Sequence, residues 1–289
     1  MSKVYQMITD TIIERISTII ETGEKTGQWE KPFAGGKCVN VASKKSYRGI
    51  NQFLLSLSGH SNIWGTFKQW SDKGATIKKG EKHTKVVFFK TGTYENDEGD
   101  EKSYPILRYY RVFASSQVEG YDAPATVREN DFSPIENAER YVANLGLDIR
   151  HVSNGKAFYV PSQDYVSVPP ASEFLKTSTS TQTENYYSTL LHECTHATGH
   201  KSRCDRDFKG FFGDRDYAFE ELVAETGAAL LCGRLEITDT IREDHIIYLR
   251  GWLKAMRDNP KAIFKACSLA QKAVDWCDDQ QSDEVAKAA

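Results

Sequence analysis

His192, Glu193 and His196 stand in the order H-E-x-x-H within YYSTLLHECTHATGHKSR, Tyr186 to Arg203. Residues four apart on a helix share one face, so the two imidazoles can reach a single Zn2+ ion at about 2.0–2.1 Å from each nitrogen. Glu193, beside the first ligand, can take a proton from a metal-bound water whose pKa the metal lowers toward about 7; the resulting hydroxide attacks a carbonyl. Such a site needs a third protein ligand, and FEELVAE supplies two candidates, Glu221 and Glu225, again four apart on one helical face. One can bind the metal while the other accepts a hydrogen bond from a ligand imidazole and fixes its tautomer; the spacing allows either assignment. Mn2+ or another divalent ion can also occupy two histidines and one carboxylate. Glu220, turned about 100° from its neighbour, is expected in solvent. The plainer alternative is a surface helix with two idle histidines. Against it, Tyr187, Leu190 and Leu191 give the helix an apolar face and Gly199 ends it just after the second histidine.

The frame that must position these groups is large enough to be two domains. The chain has 289 residues, 39% of them hydrophobic, enough to bury sizeable cores. Apolar residues at Tyr5, Ile8, Ile12, Ile16, Ile19 and Ile20 predict an amphipathic first helix ending at Gly23. Asp10 and Glu14 inside that pattern exclude a secretory signal, and no apolar run is long enough for a membrane span, so a cytoplasmic protein is expected. The six cysteines form no C-x-x-C pair, which points to reduced thiols and away from a disulfide framework; Cys194 and Cys204 read as packing residues.

Short β-rich runs such as Lys85–Lys90 follow the first helix, then an acidic loop, Thr93 to Ser103, then a strand in YPILRYYRVFA. SSQVEGYDAPAT, Ser115 to Thr126, is rich in turn formers and marks the domain boundary, giving domains of residues 1–125 and 126–289. Beyond it come a helix ended by Gly146, a β-hairpin turning at Ser162–Gln163, helices at about 184–198, 217–232, 240–257 and 261–277, and a frayed tail from Asp278. The fold class expected is α+β, a small mixed α/β domain followed by one built around the H-E-x-x-H helix.

Charge divides the chain at the same place. Residues 25–90 carry 13 Lys/Arg against 3 Asp/Glu, whereas residues 126–289 carry 19 against 26. A balance of +10 favours a polyanionic partner, and an acidic second half is expected to repel one. Single-stranded nucleic acid is held by cations along its phosphates and aromatic faces under its bases. Lys44, Lys45, Arg48, Lys68, Lys78, Lys79, Lys82 and Lys85 are the candidate phosphate contacts, Trp64 and Trp70 candidate stacking rings, and Asn51 and Gln69 candidate hydrogen-bonding groups. Each aromatic has a competing reading as core; Trp64 and Phe67, three apart, can pack inward together.

HECTHATGHKSR followed by YAFEELVAE resembles the zincin-like metallopeptidase domain of plasmid and phage polyvalent proteins. That resemblance implies Glu221 as the metal ligand and Glu225 as the acid behind a ligand histidine, because several zincin families place them as E-x-x-A followed by an acid or amide. The metzincin pattern H-E-x-x-H-x-x-G is matched only as far as Gly199; its next ligand would fall on Ser202, so His200 reads as a group beside the ligands, on the substrate side, or at the helix end. WEKPF, YRGIN, WGTFKQW and IKKGEK with VVFF are similar to the single-stranded-DNA-binding amino-terminal domain of the ArdC antirestriction proteins, found also in plasmid primases of the TraC type.

The resemblance covers nearly the whole chain in domain order. It implies an accessory protein of conjugative plasmids that protects incoming DNA from restriction, with single-stranded DNA as partner and double-stranded DNA also open, and no membrane. Two alternatives stand beside it: a DNA-dependent metalloprotease acting on DNA-bound proteins such as a restriction subunit, and a DNA-coating protein whose metal site is structural. Enzyme activity and its substrate stay open on the sequence alone.

Overall fold

Ile8, Ile12, Ile16, Ile19 and Ile20 lay one apolar stripe along a helix, and α1 (Lys3–Thr26) buries all five. Fully burying such a side chain is worth about 1.5–3 kcal/mol, more than the roughly 1 kcal/mol that a glycine costs inside a helix. α1 runs three residues past Gly23, which was expected to end it, a glycine being tolerated within a helix at that modest cost. The structure, a computed structural model, describes residues 3–26, 37–95, 100–122, 134–176, 181–206, 215–237, 252–254 and 256–281.

The α1 stripe does not close a core within the first half. It packs in one cluster with Phe53 and Leu54 of α2 (Ile50–Ser56), with Leu222 and Val223, and with Ile263 and Cys267. Thr9 Oγ1 also donates to the Pro260 carbonyl oxygen at 2.7 Å. Apolar periodicity identifies a buried face but not its partners, and here some of them lie more than 200 residues away.

The first half contributes a four-stranded sheet in the order β1 (Val39–Asn40), β2 (Ile63–Gly65), β5 (Glu101–Ala114), β4 (Thr84–Glu95), parallel between β1 and β2 and antiparallel elsewhere. The β4–β5 ribbon pairs continuously from Thr84 opposite Val112 to Glu95 opposite Glu101. Both ends of the stretch expected as an acidic loop are therefore strand, because ladder hydrogen bonds continue past the apolar pattern; residues 96–99 lie outside the described residues. α3 (Phe67–Ser71) opens with a capping box in which the Thr66 hydroxyl accepts from Gln69 N–H and the Gln69 side chain accepts from Thr66 N–H.

The expected linker is also structured over Ser115–Asp122. Its β6 (Val118–Glu119) pairs antiparallel with β3 (Thr76–Ile77), and the buried Gln117 amide donates to Glu81 and to the Lys82 carbonyl oxygen. Turn-forming composition located a connection but missed the buried amide that pins it.

The second half begins with α4 (Pro134–Asn144) and a sheet in the order β7 (Asp148–His151), β9 (Tyr165–Val168), β8 (Phe158–Val160). β8 and β9 form the expected hairpin, while β7, parallel to β9, had no clear mark in the sequence. α5 (Gln182–Ala197), capped by Thr181 and Glu184, α6 (Arg215–Arg234) and α7 (Ala262–Asp279) match expected helices. The helix expected at 240–257 falls mostly outside the described residues, with helical residues at 252–254 and 256–258. Asp278, expected to fray, accepts from the Tyr141 hydroxyl at 2.8 Å and pairs with Arg234; residues 282–289 lie outside the described residues. All six cysteines are free thiols, and no described helix is long and apolar enough to cross a membrane.

Candidate metal centre and nucleic-acid surface

α5 and α6 approach closely where Gly227 meets Thr195. A Cβ built on Gly227 would stand 2.4 Å from Thr195 Cγ2, so only glycine permits this contact. The close approach brings the carboxylates of α6 onto the histidines of α5. His192 Nε2 and His196 Nε2 lie 3.1 Å apart, and each is 3.5 Å from a Glu221 oxygen. Ligand atoms about 2.0–2.1 Å from one tetrahedral ion stand roughly 3.4 Å from one another, so these separations suit a single divalent ion. Glu221 Oε2 is buried without a hydrogen-bond partner, and the two imidazoles turn the same nitrogen toward the same point. His192, His196 and Glu221 thus fit a metal.

The second carboxylates lie behind the imidazoles. Glu225 Oε1 is 3.2 Å from His192 Nδ1 but off its hydrogen-bonding line, so it acts chiefly as a charge. Behind His196, Glu220 Oε1 sits 3.2 Å from Nδ1 and is held in turn by Arg206 at 2.8 Å. Glu220 was expected in solvent; it is 8% exposed. The physical reason is Arg206, a buried guanidinium that also donates to Thr198 Oγ1 and the Thr195 carbonyl oxygen and so draws Glu220 inward. Two ligand imidazoles four apart each want an acid at their second nitrogen, and three glutamates in FEELVAE were the available signal.

Burial opposes charge on the histidines, yet Glu225 with Glu221 raises His192 well above the ordinary imidazole value, and Glu220 with Glu221 raises His196 to about 9. Burial would lift the Glu221 carboxyl, but the two histidines facing it hold it well below the usual range. Glu193 shows the opposite balance: burial pushes its carboxyl up, with neither histidine compensating fully. The pocket is thus rich in carboxylate and poor in cation.

His200 lies beyond the end of α5 and outside the converging ligand set. Its Nδ1 is 2.8 Å from Ser202 Oγ and 3.6 Å from Asp164, which Arg203 and the Tyr159 hydroxyl also engage. Cys194 is fully buried and Cys204 half-buried. Replacing Glu225 by alanine should cost about 10–100-fold in divalent-metal affinity, as loss of a group orienting a ligand does. Glu221→Ala should cost more, and titration against a competing chelator measures both; the reverse order would exchange their roles.

In the first half the candidate DNA residues separate by burial. Lys44, Lys45, Arg48, Lys68, Lys78, Lys79 and Lys82 are exposed and Lys85 half-buried. Trp64 and Trp70 are 0% exposed, which corrects their reading as stacking rings. Trp64 fills a cluster with Leu55, Val86 and Val112, and Trp70 one with Val41 and Val118, with its Nε1 donating to the Phe113 carbonyl oxygen at 2.9 Å. Asn51 and Gln69 are also committed internally: Asn51 exchanges two hydrogen bonds with the Val87 backbone, and Gln69 caps α3. Short polar side chains beside strand and helix ends find backbone partners first.

Phe67, which opens α3, is 65% exposed and does not pack inward with Trp64; further exposed rings lie on the β4–β5 ribbon. Phe88 (48%) and Tyr110 (49%) meet edge to face at 6.1 Å on one side, and Phe89 (51%) and Tyr109 (37%) stand on the other, with Lys90, Arg108 and Arg111 exposed among them. The doublets in VVFFK and LRYYR were the missed signal, since adjacent strand residues face opposite sides and a doublet on a two-sided ribbon gives each face a ring.

Comparison with known proteins joins these two regions. A family model described as the N-terminal domain of anti-restriction factor ArdC matches residues 2–113, and one described as a zincin-like metallopeptidase matches residues 136–269. The metal-free crystal structure of the antirestriction ArdC protein from R388 plasmid shares 34% identity and a TM-score of 0.74, over 96% of this chain and 97% of that one. The chain belongs to the ArdC family. The Mn(II)-bound structure of that ArdC protein aligns with 32% identity and a TM-score of 0.73, covering 97% and 99% of the two chains. Among curated relatives, uncharacterized protein y4eC of Sinorhizobium fredii (strain NBRC 101917 / NGR234) is 41% identical over 85% of this chain and 82% of its own length. A DNA primase TraC of Escherichia coli is 32% identical over 96% of this chain, which corresponds to 27% of that primase. The ArdC sequence therefore recurs as a segment of a much longer protein.

Proposed function

We propose that this protein is an antirestriction factor of a conjugative plasmid, acting in the cytoplasm. Residues 1–125 hold single-stranded DNA, and residues 126–289 carry a metal-dependent peptidase centre whose resident ion is zinc. The observation that carries this reading is the convergence of His192 Nε2, His196 Nε2 and Glu221 on one point, within a chain aligned over almost its full length with the R388 ArdC protein. The Mn(II) held by that relative supports a divalent ion and leaves manganese as the competitor to zinc.

The bound ion supplies a Lewis acid and an acidified water. His192 and His196 present Nε2, with Glu225 and Glu220 placed 3.2 Å from their second nitrogens. Buried Glu193, its proton affinity raised, is suited to receive a proton at a carboxylate oxygen and return it to a leaving amine. That residue favours a second reading, proteolysis of a DNA-bound protein such as a restriction subunit, over a metal that only supports the fold.

The test is transfer of an unmodified plasmid into restricting and non-restricting recipients, comparing wild type with Glu193→Ala. If protection proceeds by hydrolysis, Glu193→Ala should lose protection while keeping metal and DNA binding. Full protection by Glu193→Ala would leave the coating function and remove the peptidase from it; no protection by wild type would remove the antirestriction reading.

A further inference from the structure

A cleft of about 610 Å³ opens where the two halves of the chain meet, between α1, the start of α2, β4 and α7. That volume lies within the roughly 300–1,000 Å³ of ordinary ligand sites. Asp275 is the acidic group on its lining, and both its oxygens are taken by Arg48 at 2.7 and 2.6 Å. Lys261 at the head of α7, and Lys265 and Lys272 along it, also line the cleft, and none has a carboxylate partner among the described residues. The net charge of the second half is negative, yet the wall it turns toward the first half is locally cationic.

Aromatic surface lies beside these ammonium groups. Phe89 leaves the β4–β5 ribbon 51% exposed and meets Phe264 edge-on at 6.4 Å, while Tyr5 packs edge-on against Phe264 at 4.7 Å. Tyr109, on the same ribbon face as Phe89, continues the exposed aromatic surface toward the first half. Cations for phosphates beside a ring that offers a free face are what a single strand requires; a duplex keeps its bases stacked internally and has no use for the ring.

We infer that this cleft is a seat for single-stranded DNA shared by both halves, with phosphates on Lys261, Lys265 and Lys272 and a base on Phe89. The inference rests on the single-strand-binding reading above and departs from the expectation that the acidic half takes no part.

The test uses the full-length protein and a fluorescent oligothymidine, with anisotropy followed across a salt series. The variant K261A/K265A/K272A should lose at least tenfold in affinity at moderate salt. Its log–log salt slope should become shallower by about 2, at about 0.7 for each phosphate that a lysine no longer neutralises. Phe89→Ala should lose about five- to a hundredfold, the effect of removing one stacked base, at an unchanged slope. Melting temperature and metal content check that each variant is folded; if the triple variant is not, Lys272→Gln alone should flatten the slope by about 0.7. Wild-type affinity and slope in the folded lysine variants would overturn the shared seat while leaving single-strand binding intact. Equal loss of duplex and single strand in the lysine variant, with Phe89→Ala silent, would overturn the base site. Failure of the wild-type protein to bind the oligonucleotide would instead overturn the single-strand reading itself.

Discussion

Either His192→Ala or His196→Ala will reduce the metal content of the purified protein from about one divalent ion per chain to near zero, because three protein ligands are the minimum of such a site and each substitution leaves two. The two Nε2 atoms stand 3.1 Å apart and share Glu221 between them, so neither histidine has a neighbour able to take its place. His200, the next imidazole along the chain, is held by Ser202 and Asp164 beyond the end of α5. Elemental analysis of wild type and variants after metal-replete expression measures the effect. A wild-type protein with almost no divalent metal would remove the zincin chemistry, whatever the variants did. Retention of the ion by His196→Ala would mean that the glutamates hold it without that imidazole.

The second large effect falls on stability, far from the metal. Trp70→Ala should destabilise the protein by about 3–5 kcal/mol, as deletion of a buried aromatic ring does, against a total of about 5–15 kcal/mol for a typical domain. The ring is fully buried against Val41 and Val118, edge-on to Tyr121 at 4.9 Å, and donates Nε1–H to the Phe113 carbonyl oxygen. Gly65 is part of the same fit: a Cβ there would lie 2.7 Å from Val41 and 3.0 Å from Trp70 Nε1, so ring and glycine fill one space between them. Thermal or urea unfolding reads the loss. DNA binding by whatever protein remains folded should keep its wild-type salt slope, since a buried ring neutralises no phosphate. Unchanged stability with weaker binding would restore Trp70 as a stacking residue.

What the sequence by itself determined was mostly local and periodic. His192 and His196 share a face because a helix turns once in 3.6 residues, and the same arithmetic singles out Glu221 and Glu225; no tertiary information enters. The isoleucines of α1 and the hairpin of β8 and β9 were legible for the same reason, as was the antirestriction resemblance, which rides on short motifs. Tertiary structure decided which carboxylate serves which imidazole. Glu220 comes inward through Arg206, a residue 14 positions earlier that no helical repeat connects to it. Packing also decided the fate of the aromatics: Trp64 and Trp70 look the same in sequence whether they stack on a base or on Val86 and Val41, whereas Phe88 and Tyr110 are left exposed on the ribbon. The shared core of α1 and α7, and the cleft beside it, follow from contacts across more than 200 residues, and a sequence pattern shows that a face must be buried without showing what buries it.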